Sequence, residues 1–89
     1  MTSVLEQLKR NYIFAVIRGK SSDDAIEISK HSVLGGIKNI EVTYTTPDAS
    51  KAISELKAFY ANETEVVIGA GTIMSVELAK EAIAAGAEF

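Results

Sequence analysis

Three short apolar runs, each followed by a longer stretch with helical periodicity, constrain this chain more than any other feature. The runs occupy residues 12–18, 37–43 and 65–68. The first has no polar alternation, which suits a strand covered on both faces, as in a parallel sheet. Strand–helix alternation implies a parallel sheet with right-handed crossovers. Successive strand starts lie ~25–30 residues apart, as in consecutive βαβ units. The fold class is therefore α/β, in one domain.

Local signals place the helices between these runs. Ser3 with Glu6 makes a capping-box start for a helix over residues 2–10, with Val4, Leu5 and Leu8 on its apolar stripe. Ser21 or Ser22 starts a second helix over 23–34, its first turn carrying Asp23 and Asp24 at the positive end of the helix dipole. Ala25, Ile26, Ile28, Val33 and Leu34 supply its buried side, and one glycine of Gly35–Gly36 takes the left-handed position after its end. Thr46 as cap and Pro47 in the first helical position open a third helix to about Ala61. Its inner face is Ala49, Ala52, Ile53, Leu56, Phe59 and Tyr60. Ser75 caps a fourth helix running to Ala85, with Val76, Ala79 and Ile83 facing inward. Ala87-Glu88-Phe89 reads as the start of a fourth strand. Three strands and a fourth begun leave an unpaired edge, which is a pairing liability. The layout is that of part of a larger barrel.

Composition narrows the functional classes. The net charge is −3, and Lys and Arg are scattered without a basic stripe, which argues against nucleic acid. There is no cysteine, so there is neither a disulfide framework nor a thiolate nucleophile or metal ligand. His31, the only histidine, has no partner of ligating type and reads as a solvated helix residue. No apolar stretch approaches the ~20 residues of a membrane helix. No signal-peptide pattern is present. The expectation is a soluble, cytoplasmic chain with no membrane partner.

The chemistry concentrates in two stretches. Strand alternation puts Ile37, Asn39, Glu41 and Thr43 on one face, and Lys38, Ile40, Val42 and Tyr44 on the other. Burying Glu41 costs several kcal/mol unless it is paired. It reads as a general acid/base or as a satisfied core carboxylate. Arg18, ending the first run, is either a surface charge or a clamp for a carboxylate or phosphate. Gly69-Ala70-Gly71-Thr72 reads as a glycine turn whose N–H groups could approach an oxyanion, or as a tight turn needing no ligand. Met74 stands where a dinucleotide fingerprint needs glycine, and the P-loop lysine is missing, so both nucleotide readings fail. If Arg18 and Thr72 point the same way as Glu41, one cavity holds a base, a cation and a hydroxyl. That suits proton abstraction beside the carbonyl of an acid substrate.

Five segments come in the order and spacing of one family: Ala15-Val16-Ile17-Arg18, Gly35-Gly36-Ile37, Ile40-Glu41-Val42-Thr43, Gly69-Ala70-Gly71-Thr72 and Ala85-Gly86-Ala87-Glu88-Phe89. From about residue 12 onward the chain resembles the N-terminal part of the 2-keto-3-deoxy-6-phosphogluconate / 4-hydroxy-2-oxoglutarate aldolases. The resemblance implies a (β/α)8 TIM barrel, of which residues 1–89 are the N-terminal helix, the first three βα units and the start of strand four. It implies a trimeric, metal-free class I aldolase without a cofactor. Such enzymes cleave a 2-keto-4-hydroxy acid to pyruvate and an aldehyde through a lysine Schiff base. On that resemblance Glu41 is the general acid/base. Gly71 and Thr72 meet the substrate's pyruvyl end, Arg18 lies near its carboxylate, and Thr43 and Thr45 line the substrate side. Two departures stand out. Many members carry an arginine at the position of Thr45, so that carboxylate contact is lost here or passes to Arg18. The Schiff-base lysine belongs to the sixth barrel strand. None of Lys9, Lys20, Lys30, Lys38, Lys51, Lys57 or Lys80 matches its place, so the 89 residues alone are expected to be inactive. Two other readings are a non-enzymatic α/β module associating through its open sheet edge and a different phosphate-binding barrel.

Overall fold

A computed structural model describes residues 3–89. The elements are α1 (Val4–Asn11), β1 (Phe14–Ile17), α2 (Ser22–Leu34), β2 (Asn39–Thr43), α3 (Ala49–Phe59), β3 (Val67–Gly71) and α4 (Val76–Ala85). The strands form one parallel sheet in the order β1-β2-β3. Glu88 N–H donates to the Ile68 carbonyl at 2.8 Å and Ala70 N–H to the Phe89 carbonyl at 2.9 Å. The expected start of a fourth strand therefore already lies along the free side of β3. Among the described residues no strand lies beside the outer side of β1.

The sheet has two unlike faces. Ile17, Ile40, Val42 and Ile68 point into a core completed by Ala25 and Ile26 of α2 and Ala49, Ala52, Ile53 and Leu56 of α3. Ala15 and Ala70 pack at its margin. The opposite face carries Phe14 and Val16, in register with Asn39 and Glu41. These pair in turn with Val67 and Gly69, and Thr43 pairs with Gly71. Here the expectation of a first strand covered on both sides fails: Val16 is 62% exposed. Helix α1 covers only the N-terminal end of this face. Asn39 donates to the Leu8 carbonyl at 3.0 Å and accepts from Asn11 at 2.9 Å, and Asn11 also donates to the Glu65 carbonyl at 2.9 Å. That satisfaction allows Asn39 to be fully buried in a strand.

Three of the four helix starts follow the local signals. Ser3, Ser21 and Ser75 each accept the N–H three residues on. Gly36 takes the positive φ after α2, at 108°. The start of α3 differs. Thr46 does not cap it: its buried hydroxyl accepts the Gly19 N–H at 3.0 Å and ties the two strand exits together. Asp48, at φ 53°, becomes the N-cap residue without a side-chain cap bond, and α3 begins two residues later than Pro47. The inner face of α4 is also displaced. Ala82 is buried, while Val76 and Ile83 are exposed. In α2, Ile28 and Leu34 face outward, and Ser29 is buried in their stead. In α3, Phe59 faces outward with Lys30 Nζ 4.0 Å over its ring. The apolar stripe of α1 buries no residue fully. His31 is exposed, as expected. Among the described residues no helix is long and apolar enough to cross a membrane.

Among the described residues the buried Ser29 hydroxyl finds no hydrogen-bond partner. An orphaned buried hydroxyl costs about 1–3 kcal/mol. Ser29→Ala is therefore expected to stabilise the chain by about 1 kcal/mol, read as a higher midpoint in urea unfolding with an unchanged slope.

Candidate active site

Glu41 is the central residue of β2, not its last, and it is half-buried. By register it stands beside Gly69, yet its carboxylate lies over Gly71. A Cβ placed on Gly71 would come within 2.6 Å of Glu41 Cδ. The side chain therefore leans one pleat toward the C-terminal end of the sheet. Phe89 explains the lean. Its ring covers Gly69, where a Cβ would meet Phe89 Cγ at 2.6 Å, and it stands edge-to-face on Phe14 with centroids 5.5 Å apart. Two glycines of one strand thus provide two berths, one for an aromatic ring and one for a carboxylate.

The expected glycine turn is in fact the end of a strand. β3 runs through Gly69 and Gly71, because these glycines face the open side and their lack of side chains serves packing across the sheet. The chain turns at Thr72, which is exposed and holds φ at 54°. A β-branched residue seldom takes a positive φ, and such strain collects at functional sites. Tyr44 N–H donates to the Gly71 carbonyl at 2.9 Å, so the exits of β2 and β3 are fastened together just before that turn.

Arg18, Thr43 and Thr45 form a connected group at the exits of β1 and β2. Arg18 Nε donates to Thr45 Oγ1 at 3.1 Å, and Thr45 Oγ1 shares a 2.8 Å hydrogen bond with Thr43 Oγ1. Thr43 is buried on the same face as Glu41, two residues further along β2. Two strand residues advance about 7 Å. The ion pairs among the described residues are Lys38–Glu65 and Lys57–Glu88, so Arg18 and Glu41 share one end of the sheet without being paired. Lys38 points away from the carboxylate, toward Glu65 at 3.1 Å. The structure brings the predicted residues to one end of the sheet on an open shelf, rather than enclosing them in one cavity. Sequence reasoning missed Phe89 as the group that steers Glu41. The signal available was an aromatic residue on the strand next to a glycine-bearing one.

A family model described as KDPG and KHG aldolase matches residues 4–89. The chain belongs to this family. It is 36% identical over 89 residues to the 2-dehydro-3-deoxy-phosphogluconate aldolase of Treponema pallidum, covering all of this chain and 41% of that one. It is 33% identical over 88 residues to the KHG/KDPG aldolase of Escherichia coli K12, covering 99% of this chain and 40% of that one. The crystal structure of 2-keto-3-deoxy-6-phospho-gluconate aldolase from Zymomonas mobilis superposes with a TM-score of 0.64 at 36% identity. That match covers 85% of this chain and 34% of the other. The chain thus spans about two fifths of the length of the curated family members it matches.

The positive φ at Thr72 makes a prediction about folding. Thr72→Gly is expected to leave the stability of the chain unchanged or raised by up to about 1 kcal/mol, read by urea unfolding.

Proposed function

We propose that residues 1–89 form the N-terminal part of a single (β/α)8 barrel domain: the N-terminal helix, three βα units and the start of strand four. The complete protein is a class I aldolase, assembled as a homotrimer in the cytoplasm. It cleaves a 2-keto-4-hydroxy acid, such as 2-keto-3-deoxy-6-phosphogluconate or 4-hydroxy-2-oxoglutarate, to pyruvate and an aldehyde. The observation that carries this reading is the Glu41 carboxylate, seated over Gly71 and in no ion pair among the described residues.

The chemistry explains why a carboxylate is wanted there. A lysine amine condenses with the C2 ketone, releasing water and forming an iminium. A base takes the proton of the C4 hydroxyl, the C3–C4 bond breaks, and its electron pair flows into the iminium to give an enamine. Aldehyde leaves, a proton is returned to C3, and water releases pyruvate. One group must both accept and give protons, which an unpaired carboxylate beside the reacting carbons can do. Glu41 takes that role. Arg18 holds the substrate carboxylate, with Thr43 and Thr45 on the same side, and Gly71 and Thr72 meet the pyruvyl end. The Schiff-base lysine lies outside these residues.

Steady-state assay tests the assignment. The complete polypeptide carrying this segment is expected to release pyruvate from 4-hydroxy-2-oxoglutarate, measured by coupling to lactate dehydrogenase. The 89-residue chain is expected to release none. Pyruvate release by the short chain, or none by the complete protein with any 2-keto-4-hydroxy acid, would overturn it.

A further inference from the structure

We infer that Thr45 is a positioning residue: with Thr43 it tethers Arg18 and turns the guanidinium toward the substrate, so that Thr45 itself makes no direct contact with the keto acid. This rests on the assignment of Arg18 to the substrate carboxylate.

The geometry carries it as follows. Arg18 follows β1, whose residues Phe14 and Val16 alternate onto the open face, so Arg18 is directed to the same side as Glu41 and Thr43. An exposed arginine at a strand end would ordinarily sample many rotamers. Here its Nε–H is held by Thr45 Oγ1 at 3.1 Å. Thr45 is in turn held by Thr43 Oγ1 at 2.8 Å, and Thr43 is buried. The tether therefore ends in the rigid part of the sheet, not in another mobile side chain.

Hydrogen-bond capacity assigns the roles. A threonine hydroxyl has one proton and two lone pairs. Arg18 occupies one lone pair of Thr45, and the bond to Thr43 takes the proton or the second lone pair. Thr45 is left with a single site. Arg18 has spent one of five donors and keeps the four on its terminal nitrogens. With Nε fixed, the plane of the guanidinium is set, and those four form the fork that grips a carboxylate with two parallel bonds. Thr43, where the tether ends, follows Glu41 by about 7 Å of backbone, and the Glu41 carboxylate leans toward that end, over Gly71, the register partner of Thr43. A short 2-keto acid can therefore put its carboxylate on Arg18 and its reacting carbons at Glu41. Lysine at position 18 would lose both the Nε tether and the fork.

Two measurements test this, one of them independent of activity. In the 89-residue chain, the Arg18 Nε–H should show slow hydrogen exchange by NMR. Thr45→Val should speed it about tenfold, and Thr45→Ser should preserve it. In the complete enzyme, Thr45→Val should raise KM for the keto acid about tenfold, with the smaller share of the effect on kcat, and Thr45→Ser should restore it. In an Arg18→Met background, Thr45→Val should cost nothing further. An equal loss in both backgrounds would mean that Thr45 touches the substrate directly and would overturn the inference, as would fast exchange of the Nε–H in the unsubstituted chain. A protected Nε–H in a complete protein without aldolase activity would leave the tether standing and remove the functional assignment instead.

Discussion

Glu41→Gln in the complete enzyme is expected to lower kcat by about 10²–10⁴-fold, the usual worth of a positioned acid/base group. The substitution keeps the shape of the side chain. The amide has the size of the carboxylate it replaces, and Glu41 is half-buried over Gly71, so it fits the same berth. Stability should therefore stay within about 0.5 kcal/mol of the unsubstituted protein, as for changes that break no packed or bonded feature. The assay is pyruvate release, paired with urea unfolding of the same preparation. A fall in kcat of less than tenfold would remove Glu41 from the reaction.

Gly71→Ala is expected to be nearly as damaging while leaving Glu41 chemically intact. The added methyl would meet Glu41 Cδ at 2.6 Å, so one of the two must move. The carboxylate is the end of a flexible side chain and gives way cheaply, so the folding cost should be about 1 kcal/mol or less. Function should not be so forgiving, because a displacement of about 1 Å in a reacting group can cost about 10²-fold in rate. Gly69→Ala gives the contrast. There the methyl meets the Phe89 ring, which also packs on Phe14, and the ring cannot withdraw without opening that contact. Its expected signature is lost stability, about 1–3 kcal/mol as for other overpacked sites. If Gly71→Ala retains full activity, the carboxylate does not act from its place over that glycine.

Much of the fold was legible in the sequence because the signals were local. Ser3, Ser21 and Ser75 cap their helices, Gly36 closes α2, and the three apolar runs become parallel strands in chain order. What was not legible depended on residues distant in the chain. Thr46 looks like a helix cap until Gly19, from the preceding strand exit, takes its hydroxyl. Gly69 and Gly71 look like a turn until Phe89 and Glu41 are seen lying over them. In α4, alanines on several sides blur the apolar stripe, and the inner face proved to run through Ala82 rather than Val76 and Ile83. The apolar character of Phe14 and Val16 pointed to two covered faces. In β1 the structure buries the face toward the helices, and both residues stand exposed on the other.

The candidate site follows the same division. Alternation alone put Glu41 and Thr43 on one face, and β2 keeps them there. The link from Arg18 to Thr45 crosses from one strand exit to the next, and no spacing rule within a single strand reveals it. The family pattern marked Thr45 as a departure, and in the structure its hydroxyl accepts a hydrogen bond from Arg18 of the neighbouring strand exit.

The most direct measurement is intact mass spectrometry after incubation with pyruvate and borohydride. The complete polypeptide should gain one pyruvate-derived increment, on a single lysine lying beyond Phe89, and the 89-residue chain should gain none. An increment on any of the lysines between Lys9 and Lys80, or none on the complete polypeptide, would contradict the assignment of this segment as the acid/base half of a Schiff-base aldolase.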